Sequence, residues 1–265
     1  MRIARGLTCV AIAGLGLGVL VTPASAAQAE NAENYVALGD SYSSGVGVGD
    51  YGDSGDCKRS AHAYPQLWAD GHDVAGFDFV ACSGAKTGDV LEDQVSALGE
   101  DTSLVTISVG GNDTGFSDVM VSCNTGSDDA CVERVEEAKT VARQELPGKL
   151  DSVYGEIAER APSAEVIVLG YPRMYELNGS CDAGLSETKR EAINGGADTL
   201  NEVTAERASA AGVRFVDVRP AFTGHEICSD DWWLKSVSYP VDESYHPNAA
   251  GQQGGYHDPL TEVTG

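Results

Sequence analysis

Positive charge is scarce in this sequence. Its 17 Lys and Arg residues stand against 41 Asp and Glu, which gives a formal net charge of −24 at pH 7. Binding to a nucleic acid requires cations that neutralise phosphates, so this balance argues against a nucleic-acid-binding protein. The same excess of acid argues against charge-driven docking on an anionic lipid surface. A strongly negative net charge is typical of a chain that stays soluble outside the cell.

A second long apolar run is also missing. The first run, Leu7–Val21, follows a start that carries two arginines and precedes the small residues Ala24–Ala26. These are the parts of a secretory signal peptide with its cleavage site. We therefore predict a signal peptide over residues 1–26 and a single domain over residues 27–265. Because no later run reaches the ~18–20 apolar residues of a membrane span, we expect a secreted, extracellular protein without a stable membrane anchor.

The chain has no C-x-x-C pair, which argues against a cysteine metal site. One of the seven cysteines lies in the predicted signal peptide, and the remaining set is even: Cys57, Cys82, Cys123, Cys131, Cys181 and Cys228. An even set in an exported chain predicts disulfides. Six cysteines allow 15 pairings, among which the sequence does not choose. The simplest pairing is sequential: Cys57–Cys82, Cys123–Cys131 and Cys181–Cys228.

Of two common site motifs, one is absent and the other lacks its structural context. The serine turn of α/β-hydrolases needs G-x-S-x-G, and the nearest string, Thr106–Gly110, lacks the first glycine. The stretch Gly47–Gly52 matches the dinucleotide-binding pattern G-x-G-x-x-G, but it leads into an acidic loop rather than into a helix. The sequence therefore predicts neither an α/β-hydrolase site nor a nucleotide site.

Short apolar runs alternate with helix-like stretches along the chain. Five runs are typical of strands: Tyr35–Leu38, Phe77–Ala81, Leu104–Val109, Val166–Leu169 and Val213–Val218. Apolar spacing or a neighbouring proline indicates helices over Tyr64–Ala69, Gly88–Leu98, Val132–Arg160 (interrupted at Pro147), Glu187–Ala211 and from Pro247 onward. The alternation predicts an α/β fold, a three-layer α/β/α sandwich with a five-stranded parallel sheet. In such sheets the functional site lies beyond the carboxyl ends of the strands.

Four polar segments lie at strand ends or in loops. Ser41 follows the first strand in the string Gly-Asp-Ser, Gly84 follows the second, and Asn112 follows the third in Gly-Gly-Asn-Asp. His246 lies in a late loop. A serine nucleophile needs a base, and a loop histidine supplies one. A glycine N–H and an asparagine amide can hold an oxyanion. Each residue alone fits a turn or a cap, but the four in this order predict an acyl-transfer site.

These four segments resemble the four sequence blocks of the SGNH hydrolases, also called GDSL esterases and lipases. With its six cysteines, the chain is similar to the secreted actinomycete lipases and phospholipases of that family. The resemblance implies a flavodoxin-like fold with sequential disulfides, and no metal or organic cofactor. It also implies that Ser41 attacks an ester carbonyl and that His246 accepts its proton. The N–H groups of Ser41 and Gly84 and the amide of Asn112 would then hold the oxyanion.

One departure from the family pattern concerns the group that orients His246. Many family members carry Asp three residues before the histidine, whereas this chain has Glu243 there. Some secreted relatives use a main-chain carbonyl instead, and the matching position is Ser244. Both alternatives stay open at this point, with a slight preference for the carbonyl.

We therefore predict a secreted serine esterase or lipase that hydrolyses carboxylic esters, with lipid or phospholipid acyl esters as the first choice. The alternatives are a carbohydrate acetyl esterase and a secreted binding domain that has lost activity. Candidate acyl-pocket residues are Phe116, Tyr171, Trp232 and Trp233, although the two tryptophans also fit ordinary packing beneath a disulfide loop. We expect a monomer whose partner is a small-molecule or lipid ester.

Overall fold

Strands and helices alternate in the part of the chain that the computed structural model describes, residues 32–179, 181 and 184–265. The strands are β1 (Glu33–Gly39), β2 (Val74–Phe79), β3 (Leu104–Ser108), β4 (Glu165–Leu169) and β5 (Arg214–Val216). Each of the five predicted strands is confirmed. The predicted signal peptide lies outside the described residues. Residues 32–265 belong to one compact unit, and the predicted domain limits stay a prediction.

The strands pair in the order β2-β1-β3-β4-β5, and every pairing is parallel. This is the strand order of flavodoxin-like sheets, so the predicted three-layer α/β/α fold is confirmed. Gly39 pairs with Ser108 at the last positions of the interior strands β1 and β3. The main-chain N–H of Asp40 then donates to the carbonyl of Ser108 over 2.9 Å. The segments that follow these two strands therefore meet at one edge of the sheet.

Helices cover the sheet: α1 (Ser41–Ser44), α2 (Tyr64–Gly71), α3 (Thr87–Asp89), α4 (Phe116–Thr125), α5 (Asp128–Gln144), α6 (Leu146–Arg160), α7 (Glu187–Ala211), α8 (Arg219–Phe222) and α9 (Asp258–Thr264). The predicted stretch Val132–Arg160 is split into α5 and α6 because Pro147, which has no N–H to donate, fits only in the first turn of a helix. Helix α4 was not predicted. It begins after Gly115, which offers no side-chain cap, so the usual start signal is missing. No helix in the described part of the chain has the length and apolar character needed to cross a membrane.

Three disulfides join Cys57 to Cys82, Cys123 to Cys131, and Cys181 to Cys228. The sequential pairing is therefore confirmed. The first of them ties the loop after α1 to the segment that follows β2. There the main-chain N–H of Ser83 also donates to the carbonyl of Cys57 over 3.0 Å. The residue that comes next, Gly84, thus follows directly on two residues that are attached to Cys57.

Candidate active site

A serine and a histidine that are 205 positions apart in the sequence meet beyond the sheet. Ser41 is the first residue of α1, and Asp40 caps that helix by accepting from the N–H of Tyr42 over 3.0 Å. The hydroxyl oxygen of Ser41 lies 2.7 Å from Nε2 of His246. This is the separation of a nucleophile from its general base. The fold thus brings together two of the residues that the sequence singled out.

The second ring nitrogen of His246 is bound to the main chain. Nδ1 lies 2.9 Å from the carbonyl oxygen of Ser244. A carbonyl can only accept a hydrogen bond, so Nδ1 carries the ring proton. Nε2 is left with its lone pair facing the hydroxyl of Ser41.

The carboxylate of Glu243 is bound away from the imidazole. One oxygen accepts from the hydroxyl of Tyr51 over 2.8 Å, and the other accepts from Nζ of Lys235 over 2.6 Å. Burial raises the pKa of this carboxyl, but the two donors outweigh burial and the pKa is lowered overall. Of the two orienting groups considered from the sequence, the Ser244 carbonyl touches His246, and the Glu243 carboxylate anchors a neighbouring loop instead.

Burial sets the charge of His246. It lowers the pKa of the imidazole to about 4, while the hydrogen bond to Ser244 acts in the opposite direction. At neutral pH the ring is therefore uncharged, which is the form that can accept a proton from Ser41.

The carboxyl of Asp40 lies beneath the nucleophile and is almost fully buried. The hydroxyl of Tyr171 donates to it over 2.6 Å. Burial raises the pKa of Asp40 to about 7, although the bonds from Tyr171 and Tyr42 lower it. Asn201 of α7 holds Tyr171 in place, because its side-chain amide bonds both the N–H and the C=O of Tyr171, over 2.9 and 2.7 Å.

Hydrogen-bond donors flank the serine on two further loops. Gly84 has a positive φ of 80° in the segment after β2. The side-chain nitrogen of Asn112 donates to the carbonyl of Ala85 over 3.0 Å. An amide nitrogen carries two hydrogens, so one remains for a ligand. Ser41, Gly84, Asn112 and His246 all line one cavity, as the sequence predicts.

The sequence profile of the GDSL-like lipase/acylhydrolase family matches residues 37–253, a range that includes all four of these residues. The chain belongs to this family. Family membership confirms the predicted class of enzyme, a hydrolase of carboxylic esters.

Individual relatives cover nearly the whole chain. Lipase 1 of Streptomyces coelicolor is 55% identical over 91% of this chain and 92% of its own. The crystal structure of phospholipase A1 from Streptomyces albidoflavus is 56% identical, with a TM-score of 0.85 over 87% of this chain and 99% of that one. That of the extracellular lipase from Streptomyces rimosus is 54% identical, with a TM-score of 0.86 over the same shares.

The cavity of this GDSL-family chain has a volume of about 620 Å³. It opens on Ser41 and runs between helices α4, α5 and α7. Most of its wall is apolar and includes Phe116, Val119, Met120, Val135, Ala138, Ala142, Met174, Ile193 and Leu200. Gly196 and Ala197 of α7 also line it, and their small size widens the gap that faces α5.

The predicted acyl-pocket residues are divided between the cavity and the surrounding structure. Phe116 and Tyr171 line the cavity. Trp233 instead stacks on the ring of His225, with centroids 3.6 Å apart. Nε1 of Trp232 donates to the carbonyl of Ser229 over 2.7 Å. The placement of the two tryptophans in the pocket was therefore wrong: neither lines the cavity, since Trp233 packs on His225 and Trp232 is an exposed residue of the same loop.

Gly47 is a residue of the site that the sequence analysis missed. Its φ is +102°, and a Cβ there would lie 2.7 Å from the carbonyl oxygen of Pro247 and 3.1 Å from Cβ of His246. Only glycine allows the loop to pass so close to the histidine. The signal was visible as the first glycine of the G-x-G-x-x-G string, but that string suggested a nucleotide site.

Proposed function

We propose that this chain is an exported serine esterase that hydrolyses long-chain acyl esters of lipids, with Ser41 as nucleophile and His246 as general base. The observation that carries the proposal is the apolar cavity of about 620 Å³ that opens directly on the Ser41–His246 pair. A cavity of this size and character suits an acyl chain whose carbonyl carbon stops at the serine.

The acylation step follows from the hydrogen-bond directions. The hydroxyl of Ser41 gives its proton to Nε2 of His246 while its oxygen attacks the ester carbonyl carbon. The negative charge that forms on the carbonyl oxygen is held by the N–H groups of Ser41 and Gly84 and by the second amide hydrogen of Asn112. His246 then returns the proton to the leaving alkoxide, so that an alcohol departs and an acyl-serine ester remains.

Deacylation repeats these steps with water. Nε2 of His246 accepts a proton from a water molecule, whose oxygen attacks the acyl-serine carbonyl. The proton then passes to the oxygen of Ser41, and a carboxylic acid leaves. Throughout both steps the Ser244 carbonyl holds Nδ1–H and stabilises the imidazolium that forms.

The choice of lipid over acetylated carbohydrate rests on the cavity wall. An acetyl group would leave most of this apolar space without a ligand, and a sugar ring needs more polar partners than the wall provides. An inactive binding domain would have no need of a neutral histidine 2.7 Å from a serine. The three disulfides support export, and the related lipase from Streptomyces rimosus is described as extracellular. We expect it to act as a monomer.

Hydrolysis of a series of p-nitrophenyl esters, from acetate to palmitate, tests the proposal together with phosphatidylcholine and acetylated xylan. We expect kcat/KM to rise with chain length, and phosphatidylcholine to be a substrate where acetylated xylan is not. Ser41→Ala should lower kcat by about 10⁴-fold or more. Ser117→Ala removes another hydroxyl from the same cavity wall and serves as the matched control.

Two results would contradict the proposal. Full activity of Ser41→Ala would remove Ser41 from the mechanism. A preference for acetylated xylan over every long-chain ester would be consistent with esterase activity, but it would contradict the lipid substrate and indicate a carbohydrate ester instead.

A further inference from the structure

Apolar side chains are exposed around the mouth of the cavity. Val121, Val237 and Val241 line the cavity, and yet 63%, 61% and 70% of their surfaces are exposed. Tyr239, between the two last valines, is 93% exposed. Exposed apolar side chains are in contact with water. Removing them from water is favourable, and it occurs when another apolar surface covers them. We call these four residues the apolar rim.

Hydrogen bonds join the two parts of the apolar rim. Val121 belongs to α4, and the other three lie in the loop that leads to His246. The hydroxyl of Tyr245 accepts from the amide nitrogen of Asn124 over 2.8 Å, which ties α4 to that loop. The hydroxyl of Ser244 accepts from the N–H of Ser238 over 2.9 Å and closes the loop on itself.

The apolar rim is also fixed relative to the catalytic pair. The N–H of Lys235 donates to the carbonyl of His246, and the N–H of Tyr245 donates to the carbonyl of Lys235, over 2.9 and 3.0 Å. Ser244, whose hydroxyl closes the loop, is the residue whose carbonyl holds Nδ1 of His246. A surface that covers the apolar rim therefore lies next to the mouth of the cavity that opens on Ser41.

Charge indicates which surface covers the rim. Two lysines bind carboxylates of this loop: Lys58 forms an ion pair with Asp242, and Lys235 forms an ion pair with Glu243. Their positive charges are therefore compensated. The chain as a whole carries a net charge of −24. An anionic surface would be repelled, whereas an uncharged or zwitterionic surface would contact the apolar side chains without that repulsion.

From this geometry we infer that the apolar rim is a docking surface for the face of an uncharged or zwitterionic lipid aggregate, from which an acyl chain passes directly into the cavity. The inference rests on the proposed lipid esterase activity and adds the surface that collects the substrate. Val121, Val237 and Val241 belong both to the exposed rim and to the lining of the cavity, so a chain that leaves the aggregate contacts apolar side chains at the entrance to the cavity that opens on Ser41.

Vesicle binding by the Ser41→Ala protein tests the docking surface without any chemistry. Co-sedimentation with phosphatidylcholine vesicles should show binding, and phosphatidylglycerol vesicles should bind at least about tenfold more weakly at low salt. Tyr239→Ser should weaken binding to phosphatidylcholine by about tenfold, and the triple variant with Val237→Ser and Val241→Ser by about a hundredfold or more. Leu177→Ser, at an exposed apolar residue outside the rim, is the control and should bind as its parent does.

Three results would overturn the inference: equal binding by the parent and the triple variant, an equal loss in the Leu177→Ser control, or tighter binding to phosphatidylglycerol. So would a dimer in sedimentation equilibrium that Tyr239→Ser dissociates, because a second copy would then cover the rim. Hydrolysis of soluble p-nitrophenyl butyrate by the wild-type protein is measured separately. Its failure would remove the proposed function, while failure of vesicle binding alone would remove only the docking surface.

Discussion

The imidazole of His246 donates Nδ1–H to the main-chain carbonyl of Ser244, 2.9 Å away, while the carboxylate of Glu243, the residue before Ser244, binds Lys235 and Tyr51. A carbonyl fixes the ring tautomer as a carboxylate would, but it carries only a partial charge. Substitution of Ser244 cannot remove it, because every residue supplies a carbonyl. The carboxylate of Glu243 instead joins the loop on which Ser244 lies to Tyr51 and Lys235.

The first prediction concerns Glu243. In a triad in which a carboxylate binds the histidine, amide replacement lowers kcat by about 10⁴-fold because the tautomer is wrong. Here the carboxylate does not bind the ring, so we expect Glu243→Gln to lower kcat by less than about tenfold, as measured with a soluble p-nitrophenyl ester. Asp242→Asn, at the adjacent exposed carboxylate, is the matched control. A loss beyond about a hundredfold in Glu243→Gln alone would assign the orienting role to the carboxylate.

The second prediction concerns pH. Because burial lowers the pKa of His246 to about 4, the ring stays neutral far below its ordinary value of 6.5. We expect the acid limb of kcat/KM, measured from pH 3 to 9, to have its midpoint near pH 4. The same shift makes protonation of the folded state unfavourable, so this group's contribution to stability, present above pH 6.5, is lost as the pH falls towards 4.

Asp40 provides the control for that profile, since burial raises its pKa to about 7. A limb near pH 7 that disappears in Asp40→Asn belongs to Asp40. A limb near pH 6.5 that survives in Asp40→Asn would mean that His246 is solvated and would contradict the prediction.

The strands and the catalytic segments were predictable from sequence because both depend on local patterns. The run Tyr35–Leu38 ends in Gly-Asp-Ser, and a buried parallel strand that ends in small polar residues is recognisable without its neighbours. Helix α7 was predicted with its observed bounds, since Ser186 caps it and Gly212 ends it.

Contacts between distant residues could not be predicted in the same way. Tyr51 and Glu243 are 192 positions apart, and no local signal pairs them. The same is true of Tyr171 and Asp40, 131 positions apart. The two tryptophans illustrate the limit, because an aromatic pair in a loop has the same sequence pattern whether it lines a pocket or packs a disulfide.

The third prediction concerns the buried amide of Asn201. Its side chain is fully buried and satisfies both main-chain polar groups of Tyr171. Asn201→Ala leaves these groups unpaired, and each unpaired buried group costs about 1–3 kcal/mol. We expect urea denaturation to show a loss of about 2–4 kcal/mol in the free energy of unfolding. Gln66→Ala removes an exposed amide and should cost less than about 0.5 kcal/mol, so equal losses in the two variants would contradict the role of Asn201.

The fourth prediction separates the effects of two disulfides. Cys57 and Cys82 are 25 residues apart, and removal of this bond by paired Ser substitutions should cost about 3.5 kcal/mol of stability by chain entropy. We expect kcat to fall as well, because the segment that leads from Cys82 to Gly84 loses its covalent attachment to Cys57. Cys181 and Cys228 are 47 residues apart, so that paired variant should lose about 4 kcal/mol. We expect it to keep its kcat, measured well below the melting temperature of each variant. Equal kcat losses would show that Gly84 does not depend on its disulfide.

The last prediction tests the path of the acyl chain. Gly196 lines the cavity from α7, and a Cβ there would lie 3.5 Å from Cγ1 of Val135 on α5, an ordinary contact. Gly196→Ala therefore fits and narrows the cavity, while Gly196→Leu narrows it further. With leucine we expect kcat/KM for p-nitrophenyl palmitate to fall at least about a hundredfold and that for the acetate no more than about threefold, with alanine in between. Gly155 of α6 has no atom within 4 Å of such a Cβ, so Gly155→Ala and Gly155→Leu control for the loss of a helical glycine. If palmitate and acetate lost activity equally in Gly196→Ala, the acyl chain would not lie between α5 and α7.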